Sequence, residues 1–159
     1  MSNDSPDVQA TVSGLFVHPV KSCAGVALRE ARLMDTGLDL DRAWMVVDAE
    51  GRFVTQREQP RMALVRPQIK VLEVVLRAPG MLALHPGINE VEKPARVQVW
   101  GDALDAWDMG DVAGQWFSDF LGRPGLRLAR FDSEVTRLAP KPDPYTHLTL
   151  PTIRSVYIP

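Results

Sequence analysis

The sequence predicts a mainly β domain: a small β-barrel of short strands carrying one packed amphipathic helix near residues 111–121. Three observations predict it. Short apolar runs recur between turn residues along most of the chain. Two of the breaks carry hairpin chemistry. A single stretch, ahead of the last strand, switches from strand-like runs to helical spacing.

The elements follow in order. Leu15–Val20 is an apolar run ended by the turn-forming Ser22–Gly25, and Val26–Leu33 continues as a second strand. Asp35-Thr36-Gly37 is a break. Ala43–Val47 is strongly apolar. Asp48-Ala49-Glu50-Gly51 then supplies a hairpin turn, with Gly51 suited to a left-handed backbone, and Arg52–Gln56 returns as the partner strand. Ala63–Val65 and Val71–Leu76 are further strands, and Ala78-Pro79-Gly80 turns the chain into Met81–Leu84. Arg96–Trp100 and Ala103–Trp107 form a second hairpin about Gly101-Asp102. Val112, Trp116, Phe117, Phe120 and Leu121 then fall at i, i+4, i+5, i+8 and i+9, which makes one helical stripe. Asp111 can cap its start, and Gly122 followed by Pro124 stops it. The stripe reads as core packing rather than an aromatic ligand site. Leu126–Phe131 is the final strand.

The bulk numbers narrow the function classes. A chain of 159 residues supports one domain with a real core. The net charge of -2 argues against a general nucleic-acid binder, which needs a basic excess to release counterions. A single-stranded nucleic-acid barrel would need paired aromatics on a basic face, and Trp100 and Trp107 read better as core or hairpin packing. No apolar run is long enough to span a bilayer. Met1–Ala10 is polar and acidic, without the basic and apolar regions of a signal peptide, so a cytoplasmic protein is expected. Cys23 is the only cysteine, which excludes an internal disulfide and a multi-cysteine metal site. His18, His85 and His147 show no ligand spacing. No metal ligand and no catalytic residue is assigned within this chain.

Two clusters can carry chemistry. In Pro19-Val20-Lys21-Ser22-Cys23-Ala24-Gly25 a strand ends in a turn whose backbone N–H groups can converge on an anion. Lys21 adds a point charge, Ser22 a hydroxyl donor, and Arg42, after the Asp39–Asp41 loop, a bidentate fork for the same phosphate. On spacing alone, solvated surface cations remain the better reading of Lys21 and Arg42. The second cluster is Thr55-Gln56-Arg57-Glu58-Gln59-Pro60-Arg61. It is either a solvated charged turn, with ion pairs worth roughly 0–1 kcal/mol each, or the rim of a pocket for an anionic ligand.

The runs LFVHPVKSCAG and GLDLDRAWMVVDAEGRFVTQREQPRMALVRP, with Val99-Trp100-Gly101, Asp111–Leu121 and Arg127–Phe131, carry a resemblance. Together, from about Gly14 to Phe131, they resemble the N-terminal β-barrel domain of MOSC-family molybdenum enzymes, the family of the mitochondrial amidoxime-reducing component and its bacterial relatives. The resemblance implies a molybdenum cofactor, a pterin bearing a phosphate and a dithiolene, in the intact protein. It makes Lys21, Ser22 and Arg42 the phosphate contacts and puts Thr55 and Arg57 at the pocket wall. The family's molybdenum-ligating cysteine lies in the following MOSC domain, so Cys23 is expected to be a small packed residue beside the turn. A thiol activated by Lys21 is the lesser alternative.

The activity implied is that of an oxidoreductase reducing small N-hydroxylated compounds, with electrons from a haem or iron–sulfur partner. This chain would contribute the cofactor- and substrate-pocket domain. A sulfur-transfer protein of cofactor maturation, a group associated with pyridoxal phosphate, is the alternative within the resemblance. A non-catalytic barrel for a phosphorylated ligand is the alternative outside it. The domain organisation expected is a polar leader over 1–13, the barrel domain over 14–144, and a tail over 145–159 that does not belong to it. That tail, YTHLTLPTIRSVYIP, follows the Pro-rich Pro140–Pro144, and its start resembles a transposase-type sequencing adapter translated in one frame. A genuine extended arm is the other reading. The expectation is a chain truncated before its C-terminal MOSC domain, unable by itself to hold molybdenum stably or to turn over.

Overall fold

The computed structural model describes residues 11–131 and the backbone of residues 155–157. The first ten residues of the expected leader, the Pro140–Pro144 stretch and most of the 145–159 tail lie outside the described residues. The chain forms β1 (Leu15–Val17), β2 (Val26–Leu28), β3 (Glu30–Met34), β4 (Gly37–Leu38) and β5 (Trp44–Val47), then a 3-10 turn (Pro60–Leu64). Next come β6 (Arg66–Ile69), β7 (Val74–Arg77), β8 (Lys93–Val99), β9 (Asp102–Asp108), α1 (Asp111–Leu121) and β10 (Arg127–Phe131). The backbone of β11 (Ser155–Tyr157) pairs antiparallel with β3, with Val156 opposite Ala31. The fold is mainly β, as the sequence predicts.

The barrel is built from one antiparallel sheet in the order β5-β10-β9-β8. It closes through the return leg after the Asp48–Gly51 turn. Phe53 bridges Val47 antiparallel on one side, and Arg52 bridges Gln98 parallel on the other. Val54 N–H donates to the Val46 carbonyl at 2.8 Å, and Gln98 N–H donates to the Gly51 carbonyl at 2.8 Å. Five strand segments therefore make a ring. The predicted return strand Arg52–Gln56 shrinks to bridges at Arg52 and Phe53, because it meets different partners on its two sides.

Alternation sorts the side chains of this ring. Met45, Val47, Val97, Val99, Ala106 and Ala129 fill its inside. Trp44, Val46, Val54 and Leu128 point outward, into a larger apolar cluster shared with α1, β7 and the 3-10 turn. All four residues of β5 are buried because both faces of that strand are covered. Gly51 makes the closure feasible. Its φ is +77°, and a Cβ there would lie 2.7 Å from the Arg96 carbonyl of β8.

The helix occupies the residues its periodicity predicts. Ala113, Trp116, Phe117, Phe120 and Leu121 are buried, whereas Val112, counted in the stripe, is exposed. Gly110, not Asp111, is the N-cap residue, and it makes no side-chain cap. Asp111 is the first helical residue, where a negative charge suits the positive end of the helix. It accepts from Arg127 Nη1 of β10 at 2.6 Å. Gly122 ends the helix in the left-handed region at φ +65°. Buried Ser118 ties the helix to the chain leading into β10: its Oγ donates to the Gly114 carbonyl at 2.9 Å and accepts from Leu126 N–H at 3.1 Å.

Three further expectations are corrected. Ala63 and Leu64 belong to the 3-10 turn, not to a strand, because Pro60 presets the φ of its first turn. Val71 and Leu72 lie exposed in the connection between β6 and β7, and the strand begins at Val74. The β8–β9 hairpin turns on Trp100-Gly101, with Val99 opposite Asp102. Both turn residues have positive φ, +53° and +94°, the pattern of a type I′ turn. Among the described residues no helix is long and apolar enough to cross a membrane.

A candidate anion-binding site

The turn that follows β1 is held against the segment that leads into β5. Arg42 N–H donates to the His18 carbonyl at 2.8 Å, Trp44 N–H to the Pro19 carbonyl at 3.0 Å, and Lys21 N–H to the Trp44 carbonyl at 2.8 Å. Val20 stands opposite Trp44 in parallel register. The two stretches that the sequence offers for an anion, Lys21-Ser22 and Arg42, thus lie on neighbouring chain segments. Cys23 N–H closes the turn on the Val20 carbonyl at 3.0 Å, and Ala24 N–H fixes it to the Val65 carbonyl at 3.0 Å.

Both stretches carry strain. Ser22 has φ +68° and Arg42 has φ +54°, left-handed conformations that non-glycine residues rarely adopt. Such positions typically cost about 1–3 kcal/mol and persist where the surrounding structure fixes them. Asp41 does the fixing on one side. Its Oδ1 accepts from His18 N–H at 2.7 Å, and its Oδ2 pairs with the Arg42 guanidinium. The Arg42 side chain is still 60% exposed, so its fork can reach solvent or a ligand.

Lys21 is held from another direction. Its Nζ lies 3.9 Å from the centre of the Phe53 ring and 5.5 Å from that of Trp100, within cation–π range of both. The two rings meet edge to face at 4.9 Å. Phe53 comes from the return leg and Trp100 from the β8–β9 turn. Asp41, Phe53 and Trp100 are not in the predicted set. Only Asp41, adjacent to Arg42, left a signal in the sequence; the aromatic neighbours are brought in by barrel closure.

Thr55 and Arg57 sit farther along the return leg. The backbone carbonyl of the half-buried Thr55 accepts from Glu58 N–H and Gln59 N–H at 3.1 and 2.9 Å, shaping the turn that leads to Pro60, and Arg57 is exposed. Cys23 is 1% exposed, and burial pushes its thiol up to about 12. It is a packed neutral residue at neutral pH, which removes the alternative of a thiol activated by Lys21. Among the described residues no group of three or more His, Cys, Asp or Glu side chains could hold a metal ion.

A second polar region rims a cavity of about 250 Å³ at the hairpin end of the barrel, where Asp48, Asp108 and Arg127 stand around Val47, Val97 and Ala129. Asp108 accepts from Arg127 at 2.7 and 2.8 Å and from Gly110 N–H at 2.7 Å. Asp48 accepts from Arg52 and Glu50 N–H, and its Oδ2 meets Arg52 and Arg123. Burial pushes both carboxyls up, but the arginine charges and N–H donors outweigh it and hold them below the ordinary carboxylate value. These carboxylates are committed to closing the barrel end.

Comparison with known proteins finds related chains. A family model described as the MOSC N-terminal beta barrel domain matches residues 9–124. The mitochondrial amidoxime reducing component 2 of Bos taurus is 36% identical over 131 residues, 79% of this chain and 39% of its own length. The same protein of Rattus norvegicus is 34% identical with the same coverage. The molybdenum cofactor sulfurase of Bos taurus is 32% identical over 135 residues, 82% of this chain and 15% of its own length. The chain therefore spans well under half the length of these relatives. In fold, it is similar to a solution structure from Bordetella bronchiseptica, with a TM-score of 0.54 and 24% identity, covering 64% of this chain and 86% of that one.

Proposed function

The chain belongs to the MOSC N-terminal β-barrel domain family, and from that premise we propose that it is the cofactor- and substrate-pocket domain of a molybdenum-cofactor oxidoreductase that reduces small N-hydroxylated compounds. Lys21, Ser22 and Arg42 hold the phosphate end of the cofactor. The observation that carries this reading is the parallel pairing of His18–Lys21 with Arg42–Trp44, which sets the turn beside Arg42. The donor set fits the group. An ammonium, a hydroxyl and a guanidinium fork are all donors, and all suit a phosphate. The same residues do not suit the metal, and Cys23 is a buried neutral thiol.

When bound, the cofactor supplies the two-electron removal of oxygen from an N–O bond, leaving amine and water once two protons are added. The residues of this chain bind and orient. Lys21 and Arg42 neutralise the phosphate, Ser22 donates to it, and Thr55 and Arg57 line the approach. A C-terminal MOSC domain in cis supplies the metal ligand, and a haem or iron–sulfur protein supplies electrons.

The test is Lys21→Ala combined with Arg42→Ala in the full-length protein. Bound molybdopterin, measured by its fluorescent oxidation product, is expected to fall at least tenfold. An unchanged content removes the anchor assignment. A second reading is favoured by the sulfurase relatives, which match a similar share of the chain at nearly the same identity: a sulfur-transfer role in cofactor maturation. An upstream aminotransferase-like domain with a pyridoxal-phosphate lysine would decide for it.

A further inference from the structure

β3 lies between two partners of unequal size. On its inner side β4 offers two residue pairs, Leu33 with Leu38 and Met34 with Gly37. On its outer side the backbone of β11 offers three, from Glu30 opposite Tyr157 to Arg32 opposite Ser155. The two ladders use opposite edges. The Arg32 carbonyl accepts from Asp39 N–H at 2.8 Å on the β4 side. Alternation then turns the N–H and carbonyl of Ala31 to the other edge, where Val156 stands opposite. A hairpin of two pairs is marginal by itself, so the outer ladder is the larger part of what holds β3 in a sheet.

The outer edge of β3 is also undefended. β6 and β8, which end their sheets, carry residues that block further pairing: Pro67 in β6, and Lys93 and Pro94 in β8. Glu30-Ala31-Arg32-Leu33-Met34 has neither proline nor lysine, and its Leu33 and Met34 are 38% and 42% exposed. Such an edge is a template for an extended backbone that reaches it.

We propose that the outer edge of β3 is a docking site for one extended segment of the same protein, C-terminal to the barrel, recognised through its main chain. In this chain Ser155–Tyr157 occupies it. The mode is strand addition, in which main-chain hydrogen bonds supply the attraction and side-chain pockets the specificity. Ala31 is short, and the flanking Glu30 and Arg32 are exposed and of opposite charge, which leaves the backbone as the feature that is read.

The test follows the Ala31 amide by hydrogen exchange in the 159-residue chain and in its Val156→Pro and Val156→Thr variants. Proline removes the N–H that faces the Ala31 carbonyl, and exchange at Ala31 is expected to quicken about tenfold, the worth of one net hydrogen bond. Threonine keeps that N–H and the strand preference, and exchange is expected to stay within about twofold of the parent. Val54 N–H, bonded to the Val46 carbonyl within the ring, is expected to keep its protection in all three. Unchanged exchange at Ala31 in Val156→Pro overturns the docking site. A loss in Val156→Thr as large as in Val156→Pro overturns the main-chain recognition. Equal quickening at Val54 and Ala31 makes the segment part of the barrel itself and overturns the proposal. Protection at Ala31 that is lost on dilution, with a fall from dimer to monomer mass in sedimentation, assigns the strand to a second copy and overturns the choice of occupant.

Discussion

At the scale of single residues, the distinction that matters is between charges that are spent and charges that are held. Asp48 is spent: two backbone N–H groups and two arginines surround it. Its folded pKa lies below its unfolded value, which is near the model-compound 3.8. Its contribution is therefore fully present above that value and lost as pH falls through the lower folded one. Asp48→Asn is expected to cost about 1–3 kcal/mol at pH 7, the worth of hydrogen bonds to a charged group. In urea melts the gap to the parent should narrow below about pH 4, near the ordinary carboxyl value. A gap of constant size from pH 7 to pH 3 would show that the charge is not what stabilises. Lys21 is held against the faces of Phe53 and Trp100, within cation–π range of both rings.

At the scale of elements, α1 is fastened to the barrel by more than its apolar face. Ser118 joins its third turn to the backbone entering β10. Ser118→Ala leaves Leu126 N–H without that acceptor and is expected to cost about 1–2 kcal/mol. Hydrogen exchange at Leu126 should quicken more than at Val46; equal protection at both would contradict this.

The helix was legible in the sequence because eleven residues are enough for a 3.6-residue period to show. The 3-10 turn at Pro60–Leu64 was not, since five residues hold less than two of its turns and Met62 and Val65 are buried as strand residues would be. The β8–β9 hairpin was legible in its alternation but misplaced by one residue at the turn. Gly101-Asp102 has the chemistry of a turn, whereas Trp100 is set beside Phe53 and Lys21 only by contacts between distant segments. For the same reason Lys21 and Arg42 could be named from the sequence, whereas Phe53 and Trp100 could not.

At the scale of the whole molecule, the barrel depends on one narrow seam. Every other junction in the ring is a ladder of three or more residue pairs, but the return leg holds β5 and β8 through single bridges. Gly51 sits in that seam. Gly51→Ala meets both an unfavourable φ and a carbonyl at 2.7 Å, so it is expected to destabilise by roughly 2–4 kcal/mol, the sum of a left-handed penalty and a steric shift. The melting temperature checks this, and a change below about 1 °C, against roughly 2–4 °C per kcal/mol for a domain of this size, would show that the seam yields. A seam of this kind also has a history during synthesis. β5 leaves the ribosome long before β10, its partner on the far side, because Val47 pairs with Arg127. Until then the nascent chain carries Trp-Met-Val-Val with one edge open and both faces uncovered, the composition that self-associates most readily. Asp41-Arg42 before it and Asp48 behind it bracket that run with charge. The residues that order the turn after β1 and close the barrel end in the finished domain thus also flank that strand with charge while the domain is still being made.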